Sequence, residues 1–245
     1  MNLFNIIELS QTASTQTYLT NECEHNELEE YTVIFTTNQT SGRGQDAHIW
    51  ESEKGKNITF SLLLRPVFLH PAEQFLITQF ISLSIVDVLQ KYGLKNVFIK
   101  WPNDIYIDLN KICGILIQNK IIGDSISHTY IGVGINVNQR TFQVAPNPTS
   151  LFLERGRQYD LQTFLMDTLN SIYIRYNQLK ERKLTTIQKE YLSLLLFRNC
   201  WQNYIYKNRK IVAKILNVNR FGHLIMEMLD QTTIECELRQ LQFLF

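Results

Sequence analysis

The chain has 245 residues, 44% of them hydrophobic, enough to bury a substantial core as one large domain or as one large and one small domain. Its 24 Lys+Arg against 23 Asp+Glu leave a formal net charge of +1, which excludes a global field able to gather nucleic acid or an anionic membrane. Any anionic ligand must be held by local groups. The cysteines Cys23, Cys113, Cys200 and Cys236 lie far apart, with no Cys-x-x-Cys pair and no histidine at zinc-finger spacing, so reduced thiols are expected. The first residues lack the basic start and long apolar run of a signal peptide, and apolar runs such as 58–64 are too short to span a bilayer. A cytoplasmic protein with neither a membrane nor a nucleic-acid partner is therefore expected.

In chain order, residues 2–9 read as a first strand, and Ser14-Thr15 as an N-cap opening a short helix. Residues 31–37 and 57–65 are β-branched and aromatic strands separated by a long polar stretch, 38–56, of the kind that carries function. Pro71 suits a first helical turn, and Phe75, Leu76, Gln79, Phe80, Leu83 and Val86 recur at amphipathic spacing behind it. Short strands follow at 97–100, 105–107, 112–118 and 129–137. Asp160 caps a second helix striped by Leu161, Phe164, Leu165, Leu169, Ile172 and Tyr176, and a third covers 185–197. Beyond it, strands at 203–206, 211–218, 223–229, 232–237 and 241–245 read as a small β-barrel. The expectation is an α+β chain: a mixed-sheet domain over residues 1–197 with helices on one face, then a barrel over 198–245.

Four residue groups carry candidate chemistry. In Gln39-Thr40-Ser41-Gly42-Arg43-Gly44-Gln45, two glycines let the backbone approach a ligand and bare N–H groups suited to an anion, with one guanidinium between them. No Gly-Lys-Ser/Thr follows, so this is not a Walker loop. Lys100-Trp101-Pro102-Asn103-Asp104 presents an amide and a carboxylate side by side on a stiff turn, a pair suited to Mg²⁺ and phosphate oxygens but equally compatible with an ordinary turn. Lys111 begins an apolar strand from which a long cation can cross a cleft. Gly132-Val133-Gly134-Ile135-Asn136 lacks the third glycine of a dinucleotide fingerprint and lies within a strand pattern, while Asn136 can read a purine edge. The five histidines are isolated, and no Gly-x-Ser-x-Gly elbow is present.

Taken in order, Gly42-Arg43-Gly44, Lys100 to Asp104, Lys111 to Gly114, Gly132 to Asn136 and Ala145 to Leu151 resemble the catalytic domain of biotin protein ligases, and the region after 198 is similar to that family's small C-terminal SH3-like domain. The resemblance implies a two-step reaction in which biotin and ATP, as substrates, form biotinyl-5′-AMP with Mg²⁺. Biotin then passes to a lysine of a biotin carboxyl carrier protein or carboxylase subunit. It implies that Ser14, Thr15 and Gln39 bond the ureido ring, that Gly42, Arg43, Gly114 and Leu116 complete the biotin pocket, and that Lys111 and Arg43 are catalytic. Gly44, Trp50, Asn103, Lys111 and Asn136 would meet ATP, with Asp104 and Asn103 at the metal. The pattern starts close to Met1, as in a short form without an N-terminal helix-turn-helix, and a homodimer through a sheet edge is left open.

The chain departs from the family pattern after Gly44: Gln45-Asp46-Ala47-His48 stands where further glycine and basic residues are usual, so more of the charge neutralisation falls to Arg43, Lys111 and metal, with Lys54 or Lys56 as further candidates, and whether adenylate retention suffers is left open. Three alternatives remain at this level. They are a lipoate or octanoate ligase of related fold, a repressor that uses the adenylate as a signal, and a non-catalytic biotin-binding module.

Overall fold

The computed structural model describes residues 3–44 and 49–245, with the Arg43 side chain also excluded. The expectations placed on that guanidinium and on Gln45 to His48 lie outside the described residues. In chain order the elements are β1 (Asn5–Glu8), α1 (Thr15–His25), β2 (Thr32–Thr36), β3 (Gly42–Arg43), β4 (Ile49–Trp50), β5 (Ile58–Leu64), α2 (Phe75–Lys91), β6 (Val97–Lys100), β7 (Asp104–Ile107), β8 (Asn110–Ile122) and β9 (Ser125–Ile135). They continue with α3 (Leu151–Arg155), α4 (Leu161–Lys180), α5 (Leu184–Ser193), β10 (Trp201–Tyr206), β11 (Arg209–Val218), β12 (Leu224–Met228), β13 (Thr233–Cys236) and β14 (Leu241–Phe243).

The main sheet has seven strands in the order β1-β2-β5-β9-β8-β7-β6; β1 runs parallel to β2 and the other neighbours are antiparallel. All seven side chains of β5 are buried, so both of its faces are covered. On one face Val33, Phe35, Phe60 and Leu62 join the large core beneath α2, while on the other Ile34 and Leu63 pack with Leu19 of α1. The expectation of helices on one face thus holds for α2, α4 and α5, and α1 covers the opposite face.

The Pro71–Glu73 turn is a separate 3₁₀ segment capped by His70, and α2 begins at Phe75. Its apolar spacing suggests an amphipathic helix, but α2 is buried nearly all round, because α4 and α5 cover the side that the sheet does not. Phe80 packs on Tyr176 of α4 at 5.5 Å between ring centroids, and Phe75 meets Tyr191 of α5 edge-on at 5.6 Å. Segment Pro71–Lys91 is long and apolar enough to cross a membrane, yet this burial makes it a core helix. Arg175 of α4 joins the layers through Asp87 at 2.6 Å and Glu190 at 2.5 Å.

The C-terminal strands form a five-stranded antiparallel sheet in the order β13-β12-β11-β10-β14, and it is not the closed barrel expected. The turn after β13 carries the chain to β10 instead of back to β13, with Lys207 N donating to Gln240 O at 3.0 Å. The open inner face is covered by the main domain: Tyr204, Ala213, Ile215, Leu224 and Met226 belong to the same hydrophobic cluster as α2. Two contacts fix the seam. The Trp101 indole N–H donates to Gly222 O at 2.8 Å, and Tyr106 packs edge-on against Phe245 at 5.8 Å.

Gly222 has φ +91°, and a Cβ there would overlap the Phe75 ring. Gly222→Ala should lower stability by roughly 2–4 kcal/mol, combining left-handed strain with overpacking. Urea denaturation measures this, and a loss under about 0.5 kcal/mol, the scale of an ordinary surface change, would contradict the docking described.

Candidate functional site

The side of the sheet that α1 covers is left open beyond the helix, and the strand register determines what lies there. Thr59, Gly134 and Gly114 are direct neighbours across β5, β9 and β8, and Ser61, Gly132 and Leu116 form the next row. Side chains two apart share a face, so these rows make a floor in which three positions carry no side chain. The Gly-x-Gly of β9 has this role and no phosphate-loop role. A cavity of about 840 Å³ stands on the floor, a size typical of small-molecule and cofactor sites.

At one end the 38–41 segment zips onto residues 12–13, with Thr40 N donating to Thr12 O at 3.0 Å and Ser41 N to Ala13 O at 2.9 Å. This brings Gln39 to the start of α1, where its Oε1 accepts from Thr15 N at 2.9 Å and from Thr15 Oγ1 at 3.3 Å. Thr15 Oγ1 also pairs with Ser61 Oγ at 2.9 Å, and Ser14 Oγ caps the helix by accepting from Thr17 N. Gln16, 7% exposed, donates Nε2 to Tyr130 O at 3.1 Å, while its Oε1 is buried above Gly132 without a partner among the described residues. An unpaired buried acceptor costs on the order of 1–3 kcal/mol, so a ligand N–H at that point would relieve it.

In the middle, the Trp50 indole lies flat over Gly134 and Gly114, so close that a Cβ on Gly134 would overlap the ring. Its buried Nε1 also has no partner among the described residues. Lys111 runs over Gly114 and ends 2.7 Å from Asp104 Oδ1, with its ammonium 5.8 Å from the Trp50 ring centroid. Lys100 lies above Phe243 and Tyr106 at 5.1 and 5.7 Å; burial pulls its ammonium below the usual lysine value, Asp104 opposing the shift and Lys111 adding to it. Two cations around one carboxylate suit an anionic ligand. Lys100 is thus a largely buried cation over two rings and not a solvated strand-end lysine.

At the far end, Asn136 is 3% exposed and donates Nδ2 to Thr149 O at 2.9 Å, leaving a buried Oδ1 without a partner among the described residues. The wall there is the 141–148 segment, tied to Lys111 by Lys111 N donating to Asn147 O at 2.7 Å and Thr149 N donating to Lys111 O at 2.9 Å. The small sheet closes the mouth with Leu238, Leu241, Phe243 and Phe245.

Ser14, Thr15, Gln39, Gly44, Trp50, Asn103, Asp104, Lys111, Gly114, Leu116 and Asn136 all line this one cavity. Gly42 does not line it. A Cβ on Gly42 would stand 2.7 Å from both Gln39 Nε2 and Trp50 O, so this glycine braces the β3–β4 hairpin. Asn103 is 5% exposed and donates its amide to Ile115 O, and the phenol of Tyr191 donates to Pro102 O at 2.7 Å, so the turn that presents Asp104 is rigid. Sequence reasoning missed Gln16, Thr59, Ser61, the 141–144 part of the wall and residues 238–245, whereas Ala145 to Pro148 belong to the Ala145 to Leu151 motif. Hydroxyls two apart in the otherwise apolar β5 were the available signal.

A sequence profile described as the Biotin/lipoate A/B protein ligase family matches residues 8–136, more than half of the chain. The chain belongs to this family. The bifunctional ligase/repressor BirA of Bacillus subtilis (strain 168) is 29% identical over 211 residues, covering 84% of this chain and 64% of that protein. BirA of Escherichia coli (strain K12) is 25% identical over 216 residues, 87% of this chain and 66% of that protein. The chain therefore spans just under two thirds of the length of these curated relatives. Among solved structures, the biotin protein ligase of Aquifex aeolicus in complex with biotin and ATP superposes with a TM-score of 0.81 at 24% identity, covering 97% of each chain. The Leishmania major ligase in complex with biotinyl-5-AMP gives 0.62 at 19% identity, covering 95% of this chain and 98% of that one. The fold is that of these ligases. The family segment contains every cavity residue from Ser14 to Asn136, whereas the 141–148 wall and the C-terminal closure lie beyond it.

Gly134→Ala, at a position of ordinary φ, should lift the Trp50 ring from the floor. The expected outcome is a folded protein about 1–3 kcal/mol less stable with red-shifted tryptophan emission. An unchanged spectrum would show that the ring does not rest on Gly134.

Proposed function

We propose that the protein is a biotin protein ligase, which joins biotin to ATP as biotinyl-5′-AMP with release of pyrophosphate and then transfers the biotinyl group to a lysine of a carrier protein. The observation that carries this reading is the Lys111–Asp104 pair at the centre of a cavity with a different unsatisfied acceptor at each end. One end offers Gln16 Oε1, beside Gln39 and Thr15, to the N–H groups of a cyclic urea; the other offers Asn136 Oδ1 to the exocyclic amine of a purine. The reacting carboxylate and α-phosphate would then meet at Lys111.

Bringing those two anions together is the physical difficulty, and Lys111 is placed to bond both. Its ammonium is preorganised by Asp104 and by the hydrocarbon stem packed on Gly114, so stabilising the charge that develops needs little rearrangement. Lys100 raises the local positive potential from behind. Of the two cavity-lining carboxylates among the described residues, Glu51 is bonded to the 143–145 amides, and Asp104, about one quarter exposed, fits the way Mg²⁺ is held by one or two carboxylates plus substrate phosphates. When bound there, the ion would neutralise phosphate oxygens. Asn103 fits a supporting role, since its amide nitrogen is committed to Ile115 O. In the second step the amine of the carrier lysine attacks the acyl carbon of the mixed anhydride and AMP leaves, so water must be kept out until the carrier docks.

A lipoate or octanoate ligase is the second reading, and Gln16 bears against it: a dithiolane has no N–H to satisfy the buried Oε1. Sites built to bond a polar group reject analogues lacking it by about 10⁴–10⁵-fold. In the biotin reading residues 1–197 form the adenylate-forming unit and 198–245 its small partner. The protein acts in the cytoplasm with unpaired cysteines, and β1, at one end of the sheet order, is the edge through which a homodimer would pair.

The test is incubation with Mg-ATP and either biotin or lipoate in the presence of carrier protein, with mass spectrometry of acyl-AMP and of the carrier lysine. Biotinyl-AMP and biotinylated carrier are expected, with Lys111→Ala reducing adenylate formation by about 10²–10³-fold while folding survives. Lipoyl-AMP in place of biotinyl-AMP would establish the second reading, and undiminished pyrophosphate release by Lys111→Ala would remove that residue from the chemistry.

A further inference from the structure

Directly after Trp50, the Glu51 carboxylate turns away from the glycine floor and into the 141–148 wall. Gln143 N donates to Glu51 Oε1 at 2.9 Å and to Oε2 at 3.1 Å, Val144 N to Oε2 at 2.9 Å, and Ala145 N to Oε2 at 3.2 Å. Three successive backbone amides converging on one anion form a nest, an arrangement that ordinarily binds a free anion. Here the chain supplies the anion itself, from the residue next to the indole that lies on the cavity floor. Gln139 extends the same contact, its Nε2 reaching Thr141 O at 2.9 Å and Glu51 Oε1 at 3.5 Å.

The wall is held at two places. Its C-terminal end is bonded to the backbone of Lys111, as described above. Its middle is held by Glu51, and Glu51 and Trp50 are consecutive, so a shift of either moves the other. We infer that Glu51 is a positioning residue for the nucleotide: it clasps the 143–145 amides to the Trp50 strand and so sets the distance between the wall and the floor between which ATP and the acyl-adenylate are held. Resting on the ligase reading proposed above, this assigns to Glu51 a task that no direct contact with substrate performs. Burial pushes the Glu51 carboxyl up, but the bonds from Val144, Gln143 and Ala145 outweigh it and hold the group below its ordinary value, so the clasp is charged at neutral pH.

The variant that isolates the clasp is Glu51→Gln, which keeps the shape but offers one acceptor oxygen and sets an NH₂ group against amide donors. Two measurements are made on the full chain. Hydrogen–deuterium exchange of the unliganded protein reads the clasp itself, and amides 143–145 should exchange about tenfold faster in the variant. Steady-state kinetics read its purpose: KM for Mg-ATP should rise about tenfold, with KM for biotin and kcat each changed less than about threefold. Glu51→Asp, one methylene shorter, should fall between the two proteins in both. Unchanged exchange overturns the clasp, and an equal rise in both KM values, or a loss confined to kcat, overturns its assignment to the nucleotide. If the wild-type protein forms no biotinyl-AMP, the ligase reading fails separately. Exchange together with the Mg-ATP dissociation constant from calorimetry then decides the clasp alone: weaker Mg-ATP binding in Glu51→Gln upholds it and unchanged binding sinks it.

Discussion

The cavity exists because three adjacent positions of a buried antiparallel sheet carry no side chain. Gly114, Gly132 and Gly134 lie on one face, and each is pressed by another group: Trp50 on two of them and Gln16 on the third. A glycine within a strand costs roughly 0.5–1 kcal/mol against alanine. The cost is offset where an indole or an amide reaches the backbone plane, as here. The face beneath is filled in the ordinary way by Val133, Ile135 and Ile115 against the helical layer, so the floor is rigid although its upper surface is bare.

On that floor the electrostatics are local, as the near-neutral composition requires. Lys111, Asp104 and Lys100 form a cation–anion–cation row whose members come from three strands, β8, β7 and β6, all placed by the antiparallel register. The aromatic rings of Tyr106 and Phe243 shield Lys100 from solvent, which keeps its field from being screened as a surface lysine's would be. A strand-end lysine in solvent and a lysine packed between two rings look alike in one dimension.

Much of the frame was legible from residue patterns because it rests on local rules. Ser14 and Asp160 cap their helices as their side chains predict, and the strands that follow α2 fall where β-branched runs end in turn residues. Errors arose where distant elements decide the outcome. The spacing in α2 suggests one wet side, and only α4 and α5, about a hundred residues on, remove it. The last strands alternate as a barrel would, but their inner face is filled by Trp101, Tyr106 and Phe75 of the main domain, so the sheet has no need to close. In the site, most of the residues found by resemblance to known motifs line one cavity, Gly42 being the exception among those described, whereas Gln16 and Ser61 had no motif and became visible only through strand register.

The docking of the small sheet has a consequence for how the molecule comes into being. Every floor residue has left the ribosome once Asn136 has emerged, yet Trp101 waits for Gly222, and the mouth of the cavity for Leu241, Phe243 and Phe245. Since domains fold as units in the order of synthesis, the nascent chain passes through a stage in which the cavity has its floor but not the lining that the last strands supply. The reliance on the last strands delays completion of the cavity lining until residues 241–245 have been made, an order written into topology.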